Sequence, residues 1–294
     1  MARFSAGGWR RGLAAFVAGV VWWLAAFGSP TWAQPAFRHV NQWLEQQIRY
    51  ADWKQARSDH FSIRYLPADE PVVPLVLAEA ERVYAWFAEQ FQFTSDEAVP
   101  LILYGEDGQM QERFGWSGEE KASGVYYGGV IYLLSPRVLW PEMPATALKD
   151  GRLAERYHRE GPLPHEYAHL YLDAVANSNF PRWYTEGLAQ LIEYEWIGYE
   201  WLNDDNHLQR QSLYSLRQLN EQFDRLANVA LAYRQAFKFV QFMVREHGET
   251  SLRAFHRQLA QAVSFERAWQ AVFGEPVEQS YGRWLDDVRR GGYR

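Results

Sequence analysis

The sequence predicts an α+β protein in which a mixed β-sheet lobe with a helix packed on it comes first and an all-helical lobe follows. Three observations carry this. Short apolar or alternating runs bounded by turn residues fall in the first half of the chain. A Gly128-Gly129 pair there separates two such runs as a tight hairpin turn would. From Leu163 to the C-terminus, apolar residues recur only at helical spacing.

Taken in order, Arg3, Arg10 and Arg11 precede an apolar stretch from Leu13 to Phe27, and the small-residue site Thr31-Trp32-Ala33 closes it. This is the pattern of an export signal over residues 1–33, cleaved after Ala33, with a periplasmic or secreted product. The same stretch also has nearly the length of a membrane anchor, and in that reading alone the protein contacts a membrane. The paired arginines permit a twin-arginine route. An N-terminal helical segment is expected over 34–59, with an amphipathic helix from Phe37 to Lys54. His60 to Tyr65 alternates like a strand, Val72 to Phe91 has helical spacing, and Pro100 to Tyr104 reads as a second strand, so the main domain opens β-α-β. Gly124–Tyr127 and Val130–Leu134 are the arms of the hairpin. Pro136, Pro141 and Pro144 mark an irregular connection, after which Gly248 and Ser264 punctuate the helices. With no repeat and no low-complexity linker, one unit with two lobes fits better than separate domains.

Composition narrows the chemistry. The 294 residues are 48% apolar and include 14 Trp, 17 Tyr and 17 Phe, enough for a large core and for lining a cleft. A net charge of −6 without a long block of either sign argues against a nucleic-acid partner. There is no cysteine, so any metal must be held by histidine and carboxylate.

His165-Glu166-Tyr167-Ala168-His169 is an H-E-x-x-H sequence. On a helix, the i, i+4 spacing puts both imidazoles on one face, able to hold one zinc ion, with Glu166 beside the water that the ion would activate. Pro162 and Pro164 stand just upstream, and proline is tolerated in a first helical turn, so a helix starting near Leu163 still carries the pair. Twelve residues after His169 comes Pro181-Arg182-Trp183-Tyr184-Thr185-Glu186-Gly187-Leu188-Ala189.

An H-E-x-x-H helix followed by P-x-W-x-x-E-G-x-A resembles the peptidase MA-like branch of the gluzincins, over about His60 to Trp284. The resemblance implies a zincin-like fold with the active-site helix between the lobes, and a catalytic domain over 60–290. It makes His165, His169 and Glu186 the zinc ligands and Glu166 the general base. It makes Trp183 the aromatic that packs the second helix and Gly187 the residue that lets two helices approach. The sequence departs from the family at Gly161-Pro162-Leu163-Pro164, where an apolar helical lead-in is usual.

A second donor to the oxyanion is expected, and Tyr233 is the candidate, by likeness to the cleft tyrosine of related aminopeptidases; the alternative is a tyrosine that merely packs. Arg234 beside it is a weaker candidate. Asp173 and Glu193, one and two turns beyond ligands, either orient those ligands or are solvated helix residues. The strand Gly124–Tyr127 either offers its backbone edge to an extended peptide or is an ordinary sheet edge. The remaining six histidines lack ligand spacing and read as surface or packing residues. The expected function is therefore an exported Zn2+-dependent metallopeptidase acting on peptides or proteins. The alternatives are a zinc hydrolase of a non-peptide amide or ester, and a catalytically silent zinc-holding protein, which would have no use for Glu166.

Overall fold

The computed structural model describes residues 33–116 and 122–293, so the expected signal segment up to Trp32 lies outside the described residues. Among the described residues, no helix is long and apolar enough to cross a membrane. The chain forms two compact units that meet in sequence between Leu163 and Pro164.

The first unit is built on a five-stranded mixed sheet of order β1-β2-β3-β5-β4. β2 (Phe61–Tyr65) and β3 (Val99–Tyr104) run parallel, joined by the helix Val73–Phe91 in the expected β-α-β unit. Every residue of β3 is buried, which explains its unbroken apolar sequence: a central strand covered on both faces has no solvent side to mark. β5 (Val130–Leu134) lies parallel to β3 and antiparallel to β4 (Gly124–Tyr127), which ends the sheet. Gly128 and Gly129 turn between them with φ of 54° and 85°, both in the left-handed region that favours glycine.

One element was not expected. Lys54, placed by sequence at the end of the first helix, begins strand β1 (Lys54–Arg57), antiparallel to β2. The helix proper is Gln34–Leu44, and a wider turn over Glu45–Arg49 ends it early. A mostly exposed edge strand of sequence Lys-Gln-Ala-Arg carries no apolar alternation to reveal it. The first helix is fixed by side chains instead: Asn41 donates its amide to the backbone oxygens of Tyr127 and Gly128, at 3.2 and 3.0 Å.

The second unit is helical, with the helices Leu163–Ala176, Arg182–Ile197, Leu216–Gln222, Val229–Ala260, Phe265–Phe273 and Val277–Arg289. The expectation of continuous helical pattern fails over Gly198–Ser215, an irregular connection between the second and third of these. Gly248 breaks the long helix with φ 77° and ψ 161°, and Ser264 precedes the next helix without a side-chain capping bond. The core is aromatic. Trp183 is fully buried against Phe239 and Phe265, with ring centroids at 5.3 and 5.8 Å, and its indole N–H donates to Asn220 at 2.7 Å.

His256 ties three helices together. Its Nδ1 meets the hydroxyl of Tyr171 at 2.8 Å and its Nε2 the hydroxyl of Tyr184 at 2.7 Å. A neutral imidazole satisfies both, donating through one nitrogen and accepting through the other. Burial pushes the His256 pKa down from 6.5 to about 3. Above pH 6.5 folded and unfolded states are both neutral and the group contributes nothing. As pH falls from 6.5 towards 3, only the unfolded chain takes up the proton, so stability is lost at up to about 1.4 kcal/mol per pH unit. His256→Gln is therefore expected to be less stable at neutral pH but to have a flatter dependence of melting temperature on pH between 6 and 4. Parallel pH profiles for the two proteins would remove His256 as the cause.

Candidate metal centre

The helix Leu163–Ala176 starts where the two prolines allow, with Pro164 in its first turn, where backbone N–H groups have no helical partner to lose. From Pro162 to Asp173 every residue is buried except His165 and His169, which are half-buried. The imidazoles thus mark the one accessible line on an otherwise covered stretch of helix. Glu166, between them in sequence, is 6% exposed.

The helix Arg182–Ile197 supplies the third group. Gly187 is why it can come close to the long helix: a Cβ there would sit 2.5 Å from the backbone oxygen of Ala236 and 2.9 Å from the side chain of Val240. Any larger residue must push the two helices apart. This sets the depth of Glu186, one residue earlier and 1% exposed.

A carboxylate so buried must be paired or bound to a cation. Glu186 Oε1 lies 2.5 Å from Arg182 Nη1 and 3.5 Å from His169 Nε2. Its Oε2 lies 3.4 Å from His165 Nε2 and has no hydrogen bond. One donor atom from each of His165, His169 and Glu186 falls within 4.8 Å of the others. Tetrahedral zinc with bonds of about 2.0–2.1 Å places its ligand atoms roughly 3.3 Å apart, and the two imidazole–carboxylate separations, one to each oxygen of Glu186, are close to that value. The carboxylate oxygen without a hydrogen bond, facing the Nε2 of His165, is the feature a bound cation would resolve.

The outer nitrogens are engaged as well. His165 Nδ1 lies 3.2 Å from Glu193 Oε2, and His169 Nδ1 lies 2.7 Å from Thr185 Oγ1. Were a cation bound, each Nδ1 would donate outward to its partner and each Nε2, deprotonated, would direct its lone pair into the site. Burial works against a charge on His165, but Glu193 and Glu186 outweigh it and raise its pKa well above the ordinary histidine value. At His169 burial prevails over Glu186, helped by the positive charges of His165 and Arg182, and the pKa falls to about 3. Glu186 is pushed up by burial and pulled down further by His169, His165 and Arg182, to about 2.

Of the other sequence candidates, Tyr233 stands near this group. It is half-buried, its ring lies 5.1 Å from Phe223, and burial, reinforced by Glu186, raises its pKa, so its hydroxyl keeps its proton. Arg234 is instead a structural cation, 2% exposed and 2.6 Å from Glu200. Asp173 is buried, not solvated, and accepts from Ser178 at 2.6 Å just past the end of its helix. Glu193 does reach His165. Thr185 and Arg182 were missed in the sequence: Arg182 had a signal, lying one helical turn before Glu186, whereas Thr185 reaches His169 across to another helix. Among the other histidines, His60 stacks on Tyr84 at 3.7 Å and meets Glu81 at 2.6 Å, while His158 meets Glu79 at 2.7 Å.

Two helices thus converge His165, His169 and Glu186 on one point, a group that could hold a metal ion, with Glu166 next to the first His in sequence. Residues 156–289 match the peptidase MA superfamily, which agrees with the resemblance drawn from the two motifs. The matched region holds the whole helical unit's site and begins after the sheet, so the part of the resemblance reaching back to His60 is not covered by it. The match supports a metallopeptidase-type function with peptide or protein substrates. Comparison with curated proteins finds no match.

Proposed function

We propose that the protein is a zinc-dependent metallopeptidase, exported by its N-terminal segment, with His165, His169 and Glu186 as ligands and Glu166 as general base. The observation that carries the proposal is the buried Glu186 carboxylate, whose Oε2 has no hydrogen bond and whose two oxygens face one imidazole each, His165 and His169, the other nitrogens of both rings being already held. Zinc, when bound, supplies a Lewis acid that polarises the scissile carbonyl and acidifies water. Glu166 takes the proton from the attacking water and returns it to the leaving amine. Tyr233, kept protonated by burial, donates its hydroxyl proton in a hydrogen bond to the developing oxyanion. Glu193 and Thr185 fix the two imidazoles through Nδ1, and Arg182 holds one oxygen of Glu186.

The test combines metal analysis of the purified chain with a peptide-library digest before and after chelation. Zinc bound in equal amount to protein and chelator-sensitive cleavage are expected. Cleavage that survives complete removal of metal would sink the reading. The outer partners make a separate prediction: Glu193→Gln should weaken zinc binding by about 10- to 100-fold while leaving the melting temperature of the metal-free protein nearly unchanged. Competition with a chromogenic chelator measures this, and wild-type affinity in the variant would show the contact to be incidental.

A further inference from the structure

The irregular connection after the ligand helix exposes large apolar side chains on a backbone that polar groups hold in place. Tyr199, Trp201 and Leu202 are 49%, 41% and 49% exposed. Single surface apolar residues need no explanation, but three within four positions, on a fixed segment, mark a contact surface. The fixing is specific. Glu200, between the first two, takes ion pairs from Arg234 at 2.6 Å and Lys238 at 2.7 Å, both nearly buried on the long helix. The carbonyl of Trp201 accepts from the amide of the fully buried Asn206 at 2.9 Å and from Arg234 at 3.3 Å. The backbone is pinned on the polar side, and Trp201 keeps 41% of its surface in solvent.

What the ring stands beside indicates what covers it. Trp201 lies 6.4 Å from the ring of Tyr233, centroid to centroid, edge towards face. Tyr233 in turn lies within electrostatic reach of Glu186, Arg182 and Glu166. Tyr233 is the proposed oxyanion donor, so an extended chain bound along Trp201 runs beside the ring that would meet the bond being cleaved.

We propose that Trp201, with Leu202, is the specificity-determining wall of a subsite that takes a large apolar side chain, aromatic or branched aliphatic, flanking the scissile bond of a peptide substrate. This rests on the peptidase reading above. Tryptophan suits the role because it offers a broad rigid face at little entropic loss, and such residues carry a disproportionate share of recognition energy. Only the ring is at issue, since the backbone framework does not depend on it.

The experiment uses the full zinc-loaded chain and fluorogenic peptides that differ at one position beside the cleaved bond, Leu or Phe against Ser. Trp201→Ala is expected to lose roughly tenfold or more in kcat/KM on the Leu and Phe peptides, mainly through KM, with little change on the Ser peptide. Trp201→Phe should recover most of the loss. An equal loss on all peptides, or none, would overturn the proposal. So would an unchanged peptide profile together with lost binding to phosphatidylcholine–phosphatidylglycerol vesicles, which would make the patch a lipid contact. Fluorescence anisotropy of the same labelled peptides, with chelator present, separates this from failure of the peptidase reading. If wild type cleaves nothing yet prefers Leu and Phe peptides, and Trp201→Ala removes that preference, the subsite stands and the peptidase falls. Binding without preference, or no binding, overturns the subsite.

Discussion

Glu166→Gln is expected to keep its zinc and its melting temperature while losing peptide hydrolysis by about a thousand- to ten-thousand-fold. The amide has nearly the shape of the carboxylate, so the buried position beside His165 stays filled and the helix is undisturbed. What it cannot do is accept a proton from water or deliver one to the leaving amine. One residue serves both transfers in the proposed mechanism, which places the loss in the upper part of the range usual for general acid–base catalysis. Bound zinc, thermal stability and turnover are to be measured on one preparation of each protein. Zinc and turnover both at wild-type level would show that the base lies elsewhere.

Removing a ligand has a different signature. His169→Ala should abolish stoichiometric zinc binding, and activity with it, because two remaining protein donors do not hold the ion as three do. The change also leaves Thr185 without its imidazole partner and frees one side of the buried Glu186, which keeps Arg182 at 2.5 Å. Metal content after dialysis against equimolar zinc reads the outcome, with circular dichroism to confirm that the helices persist. Zinc still bound in stoichiometric amount by His165→Ala, His169→Ala would refute the ligand assignment.

The candidate site was legible because each part has a fixed spacing: i, i+4 brings two imidazoles to one helix face, and Trp183-x-x-Glu186-Gly187 puts packing, the candidate carboxylate and close approach within about one turn of another. Burial confirms the logic at Gly187, where the absent Cβ is what Ala236 requires. The outer partners were less visible. Glu193 could be guessed from helical spacing, but Thr185 reaches His169 from a different helix, and no pattern within one segment encodes that. Strand β1 was hidden for a related reason, since its place is dictated by pairing with β2 and not by its own polar residues. The Gly198–Ser215 connection is irregular, and the ion pairs of Glu200 with the long helix, which tie down its first residues, have no counterpart in local spacing.

The proposed donors all lie between residues 165 and 186, on two successive helices joined by a short turn. An unfolded chain keeps His165, His169 and Glu186 close at little cost in loop-closure entropy, and so retains some affinity for the same ion. Added metal then stabilises both sides of the folding equilibrium, and the gain in melting temperature falls short of what the native dissociation constant implies. Thermal-shift titration would accordingly understate how tightly the folded protein holds each metal.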